Sequence, residues 1–350
     1  MSDASAPGKL VIVGEYAILH EAPAIVTAVG VHARAKVSSS TDGSGVFVDS
    51  ASNHEFPFRF DQQQGFHWSG NDPGGRGGIL QAVLETFLEE MPDIGSFPPL
   101  RISMDTGSFY RAVQAESRKL GLGSSAAVLV ALVGALFDAL GLDVDREGAL
   151  RFCTAAHRNF QGGQGSGVDI AAAIHGGVLG VRVSAADTNI SVDRLAWPDG
   201  LFILPVWSGE SASTVELLSR LYAFGDRNPD AFDSQMQILK SLAELANTAW
   251  IEQSTQKVLT AVDEYAEALR SLDRKATIGI ITDAHEQLRM LTEHYGARYK
   301  TSGAGGGDFG FAYTDSLDVA DAVRKAFADA GFFVLELPLA TVGLTVNSDG

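Results

Sequence analysis

The chain has 350 residues, 45% of them apolar and 20% charged, the proportions of an ordinary globular protein. Its 43 acidic residues against 26 lysines and arginines leave a net charge of −17. That excludes a nucleic-acid surface, which needs a basic stripe to displace counterions, and argues equally against docking on anionic lipid.

A single cysteine, Cys153, excludes an internal disulfide framework and a thiolate zinc cluster. It lies in the apolar stretch from Leu150 to Ala156 and reads as a small buried hydrophobe. The opening residues MSDASAPGK lack the cationic start and apolar core of a secretory signal. The longest apolar run, Ala126 to Phe137, is too short to cross a bilayer. A cytoplasmic protein with neither a membrane nor a nucleic-acid partner is expected.

Taken in chain order, 9–14 read as a buried strand and 24–38 as a long strand with alternating Val and Ala. Thr41 to Gly45 reads as a hairpin turn. A glycine-rich loop at 70–78 precedes an amphipathic helix over 79–90, and a strand follows over 100–104. Helices are expected at 125–140 and 147–160, and a strand pair at 178–183 and 189–193. After Trp197-Pro198-Asp199-Gly200 a strand (201–206) leads into helices near 213–222, 232–248, 256–271 and 274–293. A strand at 308–313, a helix at 317–330 and strands at 332–337 and 341–346 close the chain. Strands and helices mix without strict βαβ alternation, so the expected class is α+β, with two domains, 1–200 and 201–350.

Glycine is over-represented, at 38 in 350 or about 11% against a usual ~7%. The excess gathers at fixed places, which marks close backbone approach and not a flexible linker. In Lys119-Leu120-Gly121-Leu122-Gly123-Ser124-Ser125-Ala126-Ala127, two glycines and two serines open a helix of small apolar residues. Such a loop presents free N–H groups and a positive dipole end to an anion, with Ser124 or Ser125 as the cap. The same residues equally describe a glycine turn that starts a core helix. No G-x-x-x-x-G-K-[ST] occurs, so this is not a P-loop. Gly121 to Ala126 fits G-x-G-x-x-A with Asp143 downstream, but a dinucleotide fold needs a strand between helix and acid, and there is no room for one. Asp169 follows the glycine run of Gln161–Val168 and opens an apolar helix, where an acid also suits the dipole. Lys300 to Asp308 holds a third glycine-rich loop.

Three motifs in this order resemble the GHMP kinases: Ala6-Pro7-Gly8-Lys9 with Gly14-Glu15-Tyr16; Gly121 to Ala127; and Ser302-Gly303-Ala304-Gly305-Gly306-Gly307-Asp308. The resemblance runs from residue 6 to the last strand. It implies two α+β domains with the active site in the cleft between them, and ATP and Mg²⁺ as cofactors. Within the family, Tyr16 in place of a histidine, Asp105-Thr106, Gly165 to Asp169 and Ser211 to Thr214 lean towards the phosphomevalonate kinase branch, whose acceptor is 5-phosphomevalonate. Mevalonate kinase or another small-molecule GHMP kinase is the alternative, and a non-catalytic sensor of the same fold is a more distant one.

The resemblance assigns Asp169 and Lys9 to catalysis, Asp169 taking the acceptor's proton while Lys9 pairs with it. It places ATP on Lys119, Gly121, Leu122, Gly123, Ser124, Ser125 and Ala126, with Ser124 also touching the metal. The acceptor, a small anion, would meet Tyr16, His157, Arg158, Ser166, Gly167, Lys300, Ser302, Gly303, Ala304 and Gly305. Mevalonate kinases carry a Mg²⁺-binding Glu eleven residues before the catalytic Asp, and here that position is Arg158. A monomer or a homodimer is expected.

Overall fold

The computed structural model describes all residues except 41–42, 51, 62, 92–96, 114–115, 164, 185–188, 337 and 349–350. Its N-terminal half is built on a pair of long strands, β1 (Ser2–Val13) antiparallel to β2 (Ala24–Ser39). The ladder shifts register at Pro7/Gly8. Proline has no N–H to donate and glycine tolerates the irregular backbone, so the break falls there, one residue before Lys9. β3 (Gly45–Asp49), β4 (Glu55–Asp61), β5 (Gly65–Trp68) and β6 (Leu100–Asp105) extend the sheet, with α1 (Arg76–Glu90) between β5 and β6 in the chain. β6 inserts between β2 and β3. The hairpin expected at 41–45 is therefore not formed by its flanking strands; residues 41–42 themselves lie outside the described chain.

A small separate ribbon, β7 (Tyr110–Val113) with β8 (Glu116–Lys119), leads into the second glycine loop. Then come α2 (Ser124–Ala139), α3 (Arg146–Phe160), α4 (Val168–His175) and the antiparallel pair β9 (Val178–Val183) and β10 (Ile190–Leu195). α2 is apolar on every side, and each residue from Ala126 to Phe137 is buried. A helix apolar all round belongs between layers. It packs on β1 and β2 beneath and against α1, α3 and α4 at its sides. Each fully buried Val or Leu there contributes about 1.5–3 kcal/mol.

The second half has its own sheet. β11 (Phe202–Trp207), β12 (Arg298–Thr301), β13 (Phe309–Thr314) and β14 (Phe333–Val334) align in the order β12-β13-β11-β14. Helices α5 (Thr214–Arg227), α6 (Pro229–Ile251), α7 (Thr255–Ala276), α8 (Asp283–His294) and α9 (Leu317–Asp329) accompany it; α7, α8 and α9 pack on the sheet, and α5 and α6 pack on α7. The single helix expected over 274–293 is two pieces: α7 stops at Thr277, which is left-handed (φ 51), and the Asp273 carboxylate takes the N–H groups of Gly279 at 2.7 Å and Ile281 at 2.9 Å. Ile278 and Ile280 point into the core from that turn.

The last strand, β15 (Thr345–Ser348), returns to the first sheet and pairs with β1, Ser2 opposite Ser348 and Ser5 opposite Thr345. That pairing carries β1 back to Ser2 from the expected start at residue 9. It also takes the chain's end across the division drawn near residue 200.

Candidate active site

Three glycine loops meet where β1, α2 and α4 converge. The backbone N–H of Lys9, just past the Pro7/Gly8 break, donates to the Leu122 carbonyl at 2.9 Å, which ties the strand to the loop before α2. Gly123 is the N-cap of α2 in the left-handed region (φ 79), with no side-chain cap. The expected serine cap is therefore not formed. Ser124 is already the first helical residue, and the Ser125 hydroxyl lies 3.4 Å from His157 Nε2. The first-turn N–H groups at the positive end of α2 are left to a ligand or to water.

Asp169 sits in the first turn of α4, half-buried, and its Oδ1 accepts the Ile170 N–H at 3.0 Å. A Cβ built on Gly123 would lie 3.2 Å from Lys9 Cγ, 3.5 Å from Lys9 Cε and 3.9 Å from Asp169 Cβ. Lys9 and Asp169 thus approach the same point of the loop. They form no direct ion pair in the structure, contrary to expectation. The Lys9 chain instead runs along the loop to the third motif, where its Nζ lies 3.7 Å from a Cβ built on Gly303.

Beside this point a cleft of about 440 Å³ opens. Of the expected residues, Lys9, Tyr16, Ser166, Asp169, Gly303 and Ala304 line it. Tyr16 is buried, and its hydroxyl donates to the Ala304 carbonyl, closing the first motif on the third. Burial, reinforced by the neighbouring Glu15 and Asp273, pushes that phenol far above its ordinary value, so it stays protonated.

Other expected contacts are spent elsewhere. His157 is buried behind the loop on Ser125. Arg158 donates from Nε to the Gly165 carbonyl at 3.5 Å and faces an outer groove shared with Arg151 and Thr154, because α3 turns that side of the helix away from the cleft. Lys300 is fully buried and bound to Glu15 Oε1 and to the Thr301 carbonyl, with the rings of Tyr265 and Phe311 at 5.5 and 5.6 Å. Burial lowers its pKa, and Glu15 opposes the shift. An ammonium committed in this way has no face for an acceptor. The Ser302 hydroxyl bridges the N–H and carbonyl of Val11, Gly305 packs on Ile280, and Gly167 is the N-cap beneath Asp169.

The cleft also uses residues that sequence reasoning missed. Thr214, Leu218 and Tyr222 line it from α5. Their i, i+4, i+8 spacing was the available signal, since it puts them on one helical stripe. Glu15 lines it too: Oε1 takes Lys300 and the Gly303 N–H at 3.2 Å, while Oε2 is buried without a protein partner. An orphaned carboxylate oxygen at a cleft wall is a ready acceptor for a ligand hydroxyl.

A glycine loop with a lysine and an aspartate at its mouth, beside a cleft of about 440 Å³, is an arrangement suited to phosphoryl transfer. Comparisons with known proteins point to the same class of reaction. Residues 79–177 match the model of the GHMP kinases N terminal domain. The chain is 30% identical to "Phosphomevalonate kinase" of Streptomyces sp. (strain CL190), with 95% of each chain covered. It is 24% identical to "Mevalonate kinase" of Thermococcus sibiricus, with 98% of each covered. Its fold matches the structure of Streptococcus pneumoniae phosphomevalonate kinase in complex with phosphomevalonate and AMPPNP at a TM-score of 0.76 and 20% identity, covering 97% of this chain and 100% of that one. The chain belongs to the GHMP kinase family and is an ATP-dependent phosphotransferase acting on a small molecule. Among the described residues no helix is long and apolar enough to cross a membrane.

Proposed function

We propose that the protein transfers the γ-phosphoryl group of ATP to 5-phosphomevalonate, giving 5-diphosphomevalonate in the mevalonate pathway of isoprenoid synthesis. The observation that carries this is the meeting of Lys9 and Asp169 at Gly123, between an open helix N-terminus and a cleft of about 440 Å³. The acceptor's phosphate oxygen attacks the γ-phosphorus while the bond to the bridging oxygen of ADP breaks. Asp169 takes any proton that oxygen carries, and Lys9 faces the charge on the transferred group. Glu15 Oε2 holds an acceptor hydroxyl, and Gly303 and Ala304 close over it.

The nucleoside would lie in a second cleft of about 670 Å³, where Phe56 and Tyr110 offer apolar faces and Ser50 and Ser117 polar ones. Tyr110 stands opposite Lys119 in the β7–β8 ribbon, whose second strand runs on into the glycine loop. Mg²⁺ bound with the nucleotide neutralises part of the phosphate charge. Among the described residues no group of three His, Cys, Asp or Glu could hold a metal, which fits an ion held largely by phosphates, water and one or two protein oxygens such as that of Ser124.

One observation favours mevalonate as a second reading. Among the described lining residues Lys9 is the only cation, and a site that brings the acceptor's own phosphate to a second one would ordinarily gather more. An ADP-release assay against 5-phosphomevalonate, mevalonate, homoserine and sugars decides between them. Turnover is expected to be highest with 5-phosphomevalonate, and a preference for mevalonate would replace the acceptor while leaving the kinase intact.

A further inference from the structure

We infer that Asp308, the last residue of the third glycine loop, makes the nucleotide seat selective for the magnesium complex by supplying the carboxylate that faces the cation beside the phosphates. The inference rests on the reading that the loop at 121–127 holds the ATP phosphates.

Asp308 is built into place. Its N–H donates to the Glu210 carbonyl at 2.8 Å, its carbonyl accepts the Ser208 N–H at 2.8 Å, and its Oδ1 accepts the Ala212 N–H at 3.4 Å. The backbone is left-handed (φ 54), a conformation aspartate and asparagine tolerate better than most residues. Its carboxylate lies against Gly121. A Cβ at Gly121 would fall 2.0 Å from Asp308 Cγ and 2.3 and 2.4 Å from its two oxygens. Gly121 is itself left-handed (φ 72), so only glycine serves there on both counts. Burial raises the pKa of the Asp308 carboxyl, and the Ala212 N–H and the charges of Lys9 and Lys119 oppose the shift.

A carboxylate pressed on an anion-binding loop is hard to explain from anion binding alone, because it repels the ligand the loop attracts. A magnesium ion resolves the conflict. It takes one or two carboxylates together with nucleotide phosphate oxygens and water, so the acid repels free nucleotide and welcomes its metal complex. Asp169 does not fill that place; it faces the acceptor cleft.

The test is the affinity of the intact protein for a non-hydrolysable ATP analogue, measured by calorimetry in saturating Mg²⁺ and again in EDTA. Asp308→Asn keeps the shape, the left-handed backbone and an oxygen for the Ala212 N–H, and removes only the charge. Wild type is expected to bind the analogue at least about tenfold more tightly with Mg²⁺, a difference equivalent to about 1.4 kcal/mol. Asp308→Asn should bind the metal-free analogue more tightly than wild type, and its Mg²⁺ preference should shrink to less than about threefold. The ratio is taken within one preparation, so a partly unfolded fraction cancels; Asp308→Ser provides a second neutral variant. An equal Mg²⁺ preference in wild type and variants overturns the inference, as does a wild type indifferent to Mg²⁺. A wild type that binds no nucleotide even with Mg²⁺ overturns the reading of the loop itself.

Discussion

His285 gives the fold a built-in sensitivity to acid whose size can be worked out. Its ring is buried in the first turn of α8, beneath the third glycine loop. Nε2 lies 2.9 Å from the Gly307 carbonyl, which can only accept, so Nε2 carries the proton. Nδ1 then accepts from the Tyr299 hydroxyl at 2.8 Å. Burial pushes the histidine down to about 4 from its ordinary 6.5, and the bond to Gly307 opposes the shift. Above pH 7 the ring is neutral in both folded and unfolded chains. Below about 6.5 the unfolded chain takes up a proton that the folded one refuses, so stability falls until pH reaches about 4. The full gap is worth about 3 kcal/mol, and about 2 kcal/mol of it is lost by pH 5.

His285→Gln keeps a donor for Gly307 and removes the titration. Denaturant unfolding of wild type and variant from pH 8 to pH 5 is the assay. The stability advantage of wild type should shrink by about 2 kcal/mol over that span, while titrations common to both proteins cancel. A pH-independent difference would refute the argument and show that the folded histidine accepts a proton in place.

Asp169→Asn should leave the melting temperature nearly unchanged and lower kcat by about 10²–10⁴, the range for losing a general base; turnover within a few-fold of wild type would reduce Asp169 to a helix-start residue. Lys300→Met strands the buried Glu15 carboxylate and should cost about 3–5 kcal/mol. At roughly 0.7 kcal/mol per degree for a chain of this length, that is about 4–7 °C in Tm by calorimetry. The double variant Glu15→Gln with Lys300→Met should recover most of the loss, and equal melting of single and double variants would contradict the buried pair. Arg158→Ala removes only a long, exposed bond to Gly165, so steady-state KM values for acceptor and ATP should each move by less than about threefold. A rise of tenfold or more in the acceptor KM alone would return Arg158 to the substrate.

Much of the fold was legible in the sequence, where local chemistry dictated the outcome. The apolar run after Ser125 could only be a buried helix, the Val and Ala alternation after Ala24 only a long strand, and Gly121, Gly123 and Asp169 marked the N-terminal ends of their helices. The strands it concealed, β3, β4, β5, β7, β8 and β12, are short and gain their order from partners. Residues Ser2–Ser5 are polar and become strand because β2 and β15 flank them on both edges. The division of labour among cations was equally hidden. Lys9, His157, Arg158 and Lys300 are alike on paper as positive groups near glycine motifs. The tertiary structure sends Lys9 to the cleft, His157 behind the helix, Arg158 to the outer face and Lys300 into a buried pair with Glu15. Sequence determines which groups exist and which local backbone they favour. Where each side chain spends its charge depends on packing between residues hundreds of positions apart, such as Glu15 and Lys300 or Gly121 and Asp308, and only the folded chain decides that.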